Sequence, residues 1–194
     1  MASLPVPANA SPAASAQISA VTRFSAQSDE RECLATAIAY EAGYEPVDGR
    51  RAVADVILNR TRSGRHPATI CGVVYEGSAR RTGCQFTFTC DGSLRRRLPD
   101  RVVDEARRIA DEALAGISPS QIGGAINYHA DYVSPYWAPS MLRVAKIGRH
   151  IFYRPARGTL SAPLRYDVPA RTAALDQARP TAFAPWGISL AKPD

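Results

Sequence analysis

Apolar residues recur at helical spacing from about residue 32 to 114 and fall into short alternating runs after it, and this order of periods limits the fold most. Leu34, Ala37 and Ile38 predict a helix from Glu32 to Tyr40 or Ala42 that stops near Gly43. Ala52, Val53, Val56 and Ile57 predict a second, with Asp48 as its N-cap and Asn59 and Arg60 near its end. A short helical turn is expected around Ile70–Tyr75. The clearest helix is capped by Asp100, carries the stripe Val102, Val103, Ala106, Ile109, Ala110, Ala113 and Leu114, and ends at Gly116. Residues 84–90, Cys-Gln-Phe-Thr-Phe-Thr-Cys, alternate and are β-prone. Two further β-like runs, Ala125–Ala130 and Met141–Ile147, precede Ile151–Tyr153 beyond a turn at Gly148. Helices first and short antiparallel strands later indicate an α+β domain, not alternating βαβ units.

These patterns occupy residues 30–153, the expected domain. Residues 1–29 are rich in Ala, Ser and Pro and are expected to be disordered, because they offer little apolar surface to offset ordering entropy. Residues 154–194 return to Pro, Ala and Arg and read as an extended tail. Residues 1–29 lack the basic and apolar regions of a secretory signal, and no stretch approaches the roughly 20 apolar residues of a membrane span. The formal charge of +6 suits an anionic polymer, either a cell wall or a nucleic acid. The densest basic run, Arg95–Arg97, has no interleaved aromatic, which argues against a base-stacking surface and favours a solvated loop. The four cysteines, Cys33, Cys71, Cys84 and Cys90, fit one or two disulfides and an oxidising compartment, with three full pairings open.

Glu41 completes the buried face of the first helix, at i+7 from Leu34. A carboxylate in such a stripe is either paired with an arginine or at the helix rim, or it is held by burial as a proton donor near neutral pH. The second condition is what general acid catalysis at a glycosidic oxygen requires. Glu45, past the Gly43 break, can cap, pair or assist Glu41.

Several blocks in order resemble the SleB/CwlJ cell-wall hydrolase domain, named for spore cortex-lytic enzymes. They are Cys33-Leu-Ala-Thr-Ala-Ile-Ala-Tyr-Glu-Ala-Gly-Tyr-Glu-Pro46, Gly49-Arg-Arg-Ala-Val-Ala-Asp-Val-Ile-Leu-Asn-Arg60, Pro67-Ala-Thr-Ile-Cys-Gly-Val-Val-Tyr75, Cys84-Gln-Phe-Thr-Phe-Thr-Cys-Asp-Gly92, Asn127-Tyr-His-Ala-Asp-Tyr-Val-Ser-Pro-Tyr-Trp137 and Ile147-Gly-Arg-His-Ile-Phe-Tyr153. The resemblance implies a lysozyme-like or lytic-transglycosylase-like helical domain with a small antiparallel sheet, acting on peptidoglycan glycan strands. It places the catalytic glutamate on Glu41. One carboxyl group then suffices: it protonates the oxygen between N-acetylmuramic acid and N-acetylglucosamine, then accepts the C6 hydroxyl proton as a 1,6-anhydro ring closes. Glu45 or Asp91 would be needed only for two-carboxylate hydrolysis.

Gln85 and Thr87 are candidate sugar contacts on the polar face of residues 84–90, and Tyr128, His129, Tyr136 and Trp137 are candidates for stacking on pyranose rings. Asn59 is expected to support the catalytic helix through a buried hydrogen bond. No cofactor or metal is expected. A zinc amidase or peptidase is the rival enzyme, drawing on His66, His129, Asp131 and His150, but the sequence has no H-E-x-x-H helix. A non-catalytic wall-binding module is the rival outside enzymes. The expected state is a monomer in the periplasm or cell envelope, bound to peptidoglycan and not to nucleic acid.

Overall fold

The computed structural model describes residues 12–81 and 83–156, with side chains from Ala26 onward. Four helices precede a three-stranded sheet: α1 Pro12–Ala42, α2 Val47–Arg62, α3 Ile70–Val74, α4 Asp100–Leu114, β1 Asn127–Ala130, β2 Met141–Ile147 and β3 His150–Pro155. The α+β class holds. The expected disorder of residues 1–29 does not hold from Pro12 on, because α1 begins there. Alanine is the best helix former, and extending a helix already fixed by packing avoids a new nucleation step. Residues 1–11 and the tail beyond 156 lie outside the described residues; residues 154 and 155 end β3.

Both expected N-caps shift by one or two positions. α2 is preceded by Pro46 and α4 by Pro99, each in the extended conformation before the first turn. Proline at that place satisfies the helix entry with its fixed φ and lacks a donor that would go unpaired. Asp48 and Asp100 therefore fall inside the first turns, where their charge still faces the positive end of the helix dipole. The stripe of α4 is buried at Val102, Ala106, Ile109, Ala110 and Leu114. Its rim is tied to α1 by Arg31–Asp111 at 2.5 Å and Glu32–Arg107 at 3.1 Å, and to α2 by Arg51–Glu112 at 3.0 Å. Such part-exposed pairs contribute little energy and mainly fix orientation.

Residues 84–90 are not a strand. Phe86 and Phe88 are buried and Gln85 and Thr87 exposed, so the alternation is real, but Thr87–Thr89 is a 3-10 turn. A disulfide from Cys84 to Cys90 closes this segment on itself, which leaves no extended edge to pair. A second disulfide joins Cys33 of α1 to Cys71 of α3 with Cα atoms 5.2 Å apart. The exposed Arg95–Arg97 run is the solvated loop its composition suggests.

The sheet has the order β1-β3-β2, antiparallel throughout, with Asn127 opposite Tyr153 and Met141 opposite Pro155. One core gathers Leu34, Ile38, Val53, Ile57, Phe86, Phe88 and Ile109 among the helices. A smaller one packs Phe152 of the sheet against Ala52 and Val56 of α2. Tyr128 of β1 packs against both, which places it at the seam between helices and sheet.

Candidate active site

Glu41 sits in the last turn of α1, on the face that carries Leu34 and Ile38 into the core. From the other side of the seam, the Tyr128 hydroxyl donates to Glu41 Oε2 at 2.9 Å. Burial pushes the Glu41 carboxyl above its ordinary value; the Tyr128 hydrogen bond and the charge of Arg60 pull it down, and Asp91 adds to the rise. Burial, with the neighbouring Glu41 charge, holds the Tyr128 phenol well above its ordinary value, so it remains a donor. The tyrosine proton occupies Oε2, and a proton carried by Glu41 is thereby directed to Oε1. Burial shifts the half-buried carboxyl toward its protonated form, the form a proton donor needs.

Two further charges act on Glu41: Arg60, which the sequence did not single out for the site, and Asp91, expected only as a second carboxylate for hydrolysis. Arg60 is 4% exposed near the end of α2, and its Nε donates to the Ile126 carbonyl at 2.8 Å. The signal was present: Arg60 continues the buried α2 stripe of Val53 and Ile57 by helical steps, as Glu41 continues that of α1. Asp91 follows the disulfide loop and accepts from the Ser93 N–H at 2.7 Å, and hydrogen bonds to Ser93 hold its carboxyl below the usual range. Its charge reaches Glu41 only through the way the loop closes, which local pattern does not express.

The remaining expected residues are distributed differently. Successive residues on a strand face opposite ways, so β1 sends Tyr128 toward Glu41 and His129 to the other face. There His129 stacks on Tyr153 with centroids 5.2 Å apart, its Nε2 lies 3.0 Å from the Tyr153 hydroxyl, and Trp137 meets both rings edge-on. Tyr136 is 95% exposed. The single stacking block expected over residues 128–137 is therefore split by the sheet. Gln85 and Thr87 are exposed on the outside of the disulfide loop. Glu45 Oε2 accepts from the Arg149 N–H at 2.9 Å, which fastens the β2–β3 turn to the α1–α2 junction. Asn59 Nδ2 donates to the carbonyls of Gly123 (2.7 Å) and Ala125 (2.9 Å). Its bonds hold the approach to β1, not α1, because α2 presents that edge to the 123–125 segment.

His66 lies 2.8 Å from Glu76, and His150 is buried beside Tyr128. Among the described residues no group of three or more His, Cys, Asp or Glu is placed to hold a metal ion.

A helical domain meeting a small antiparallel sheet at one half-buried, tyrosine-bonded carboxyl defines the class: an α+β domain with a single shielded carboxyl at its seam. The chain belongs to the cell wall hydrolase family, whose profile matches residues 44–153. Glu41 lies just ahead of that span. The spore cortex-lytic enzyme of Halalkalibacterium halodurans is 38% identical over 122 residues, 62% of this chain and 33% of that protein; the Bacillus subtilis enzyme of the same name is 33% identical over 119 residues, 61% and 35%. The chain thus spans about a third of these relatives' length. Among solved structures, the catalytic domain of the Bacillus cereus SleB protein matches with a TM-score of 0.53 and 30% identity, over 66% of this chain and 91% of that one. The catalytic domain of the germination-specific lytic transglycosylase SleB from Bacillus anthracis matches with 0.52 and 29%, over 77% and 100%.

Proposed function

We propose that this chain cleaves peptidoglycan glycan strands as a lytic transglycosylase, with Glu41 as the acid and then the base. The observation that carries the reading is the half-buried Glu41 carboxyl with Oε2 engaged by Tyr128. Glu41 Oε1 gives its proton to the oxygen bridging N-acetylmuramic acid and N-acetylglucosamine, and the bond to the departing sugar breaks. The carboxylate left behind is bonded by Tyr128 and faces the charge of Arg60. It takes the proton of the muramic acid C6 hydroxyl as that oxygen closes on C1. The product carries a 1,6-anhydro end and no water is consumed. The solved neighbour from Bacillus anthracis bears the name of such an enzyme, which supports the same assignment.

Supporting roles follow from the contacts. Tyr128 is proposed to orient the acid. Glu45 and Asn59 are proposed to hold the turn and the strand approach that frame it. Gln85, Thr87, His129, Tyr136 and Trp137 are proposed to meet the glycan strand outside the acid's immediate surroundings. The chain is proposed to work as a monomer in the periplasm or cell envelope; no described helix is long and apolar enough to cross a membrane.

One observation favours a second reading. Glu41 is shifted up and Asp91 down, and two carboxyls pushed apart in this way are the pattern of an acid with a separate base. In that case Asp91 activates water and the product has a reducing end.

Mass spectrometry of muropeptides from purified sacculi separates these outcomes: 1,6-anhydro ends for transglycosylation, reducing ends for hydrolysis, free stem peptides for an amidase. Glu41→Gln is expected to bind sacculi and to lose lytic activity by at least about a thousandfold, on the scale of a removed general acid. Lysis by this variant at the wild-type rate sinks the assignment of Glu41.

A further inference from the structure

Arg60 is the charged side chain most thoroughly enclosed among the described residues, at 4% exposure. A buried charge costs several kcal/mol unless it is paired, and Arg60 forms no ion pair among the described residues. Its Nε is bonded to the Ile126 carbonyl, two residues before Tyr128, and its guanidinium lies 5.2 Å from the centre of the Phe86 ring. Its Nη1 is enclosed and has no hydrogen-bond partner. These contacts join three separate parts of the molecule: the end of α2, the entry to β1 and the disulfide loop. Glu41 is bonded by Tyr128 of β1, two residues past the carbonyl that Arg60 holds, and the charges of Arg60 and of Asp91, just past the loop, act on its carboxyl.

We propose that Arg60 is a positioning residue of the reaction, a buried guanidinium that locks the β1 entry and the disulfide loop behind Glu41 and keeps that carboxyl able to become an anion after its proton is given away. This rests on the reading of Glu41 as the acid. The need is specific to a group that serves twice. Burial alone suits the acid step, in which Glu41 starts neutral, but opposes the base step, in which it starts as a carboxylate. A fixed positive charge nearby offsets part of that opposition without competing for the proton, because a guanidinium does not deprotonate in proteins.

The charges that face the pair are few. Glu41 on α1 sees Tyr128, Arg60 and Asp91. Arg60 on α2 sees Tyr128, Glu76 beyond α3, and Glu41. Glu76 is itself bonded to His66 at 2.8 Å, which leaves Arg60 only partly compensated from that side. Burial and the Glu41 charge hold the Tyr128 phenol well above its ordinary value, so it brings no charge to the pair near neutral pH. Removing the guanidinium therefore leaves Asp91 as the dominant charge on Glu41, and the carboxyl holds its proton to higher pH.

The test uses the full chain with Arg60→Met, Arg60→Gln and Arg60→Lys. The Glu41 carboxyl is followed by carbon-13 NMR titration, and kcat and KM are measured across pH on soluble glycan-strand fragments. In Arg60→Met the Glu41 titration and the alkaline limb of kcat are expected to move together to higher pH. kcat is expected to fall by about tenfold with KM nearly unchanged, the scale of a mistuned acid/base group. Arg60→Lys is expected to recover part of both. Arg60→Gln, which keeps a donor for the Ile126 carbonyl, is read in the same way if the methionine variant does not fold. An unmoved Glu41 titration in a folded neutral variant overturns the proposal, and so does collapse of both neutral variants, since Arg60 is then a structural anchor only. If the titration moves but Glu41→Gln still lyses sacculi, the link between Arg60 and Glu41 stands and the assignment of Glu41 as the acid falls.

Discussion

At the scale of single residues, Glu41 and Tyr128 act as one unit. The phenol stays protonated and directs its proton to Oε2, so it leaves Oε1 as the oxygen that can carry Glu41's own proton. Tyr128→Phe removes that bond and keeps the ring against Phe152, whose centroid is 5.7 Å away. The expected loss in kcat is about 10- to 100-fold, equivalent to a charge-assisted hydrogen bond of about 1.5–3 kcal/mol, with the melting temperature little changed. The bond favours the ionised form of Glu41, so its loss moves the alkaline limb of the pH profile upward. Wild-type kcat in this variant would remove Tyr128 from the mechanism. Helical spacing singled out Glu41 because its place in the stripe is a local property. Tyr128 was recognised only as one aromatic among several, since its partner lies 87 residues away and strand direction decides which ring meets the acid.

At the scale of elements, the two disulfides do different work. Cys33–Cys71 spans 38 residues and joins α1 to α3, which in the chain-entropy picture stabilises the fold by about 4 kcal/mol. Cys84–Cys90 spans 6 residues, contributes about 2 kcal/mol by the same relation, and shapes the loop that brings Phe86 onto Arg60. Replacing Cys33 and Cys71 by Ala is therefore expected to lower the melting temperature more than replacing Cys84 and Cys90. The second pair of replacements is expected to lose more activity per degree of melting temperature. Calorimetry and sacculus lysis on both double variants check the order, and the reverse order would refute the division of labour. Sequence spacing left all three pairings open because a pairing is a fact of the assembled fold. The same loop explains why residues 84–90 resemble a strand: Phe86 and Phe88 alternate inward for packing, whereas hydrogen bonding to a neighbouring strand never occurs. The helices of the domain were legible because each carries its own stripe, and β2 was legible to the residue. The start of α1 was not, because its N-terminal part lacks an apolar stripe and depends on the packed segment that follows.

At the scale of the whole molecule, two titratable groups shifted by burial, Glu41 and His150, press on stability from opposite sides. The folded Glu41 carboxyl is raised above its unfolded value near 4.5, so its favourable contribution is complete below that value and is lost as pH rises through the folded one. His150 is lowered from 6.5 by burial, so its contribution is present above 6.5 and is lost as pH falls through the folded value. Glu41→Gln removes the first dependence. It is expected to melt higher than the wild type at about pH 8 and to converge with it below about pH 4, where the carboxyl is protonated in both states. Equal melting curves at every pH would mean that the fold exacts no stability cost for holding this acid. Activity and stability would then be independent here, against the usual trade between a strained site and a robust scaffold.

The alternation along β1 has a practical consequence. Trp137 is one of two tryptophans in the chain, and it is set among the His129 and Tyr153 rings on the face of the strand turned away from Glu41. With Trp186→Phe in place, the emission of Trp137 becomes an optical reporter of that face. Glycan contact at this face, as proposed, is expected to shift that emission, and the shift is read independently of any reaction at Glu41.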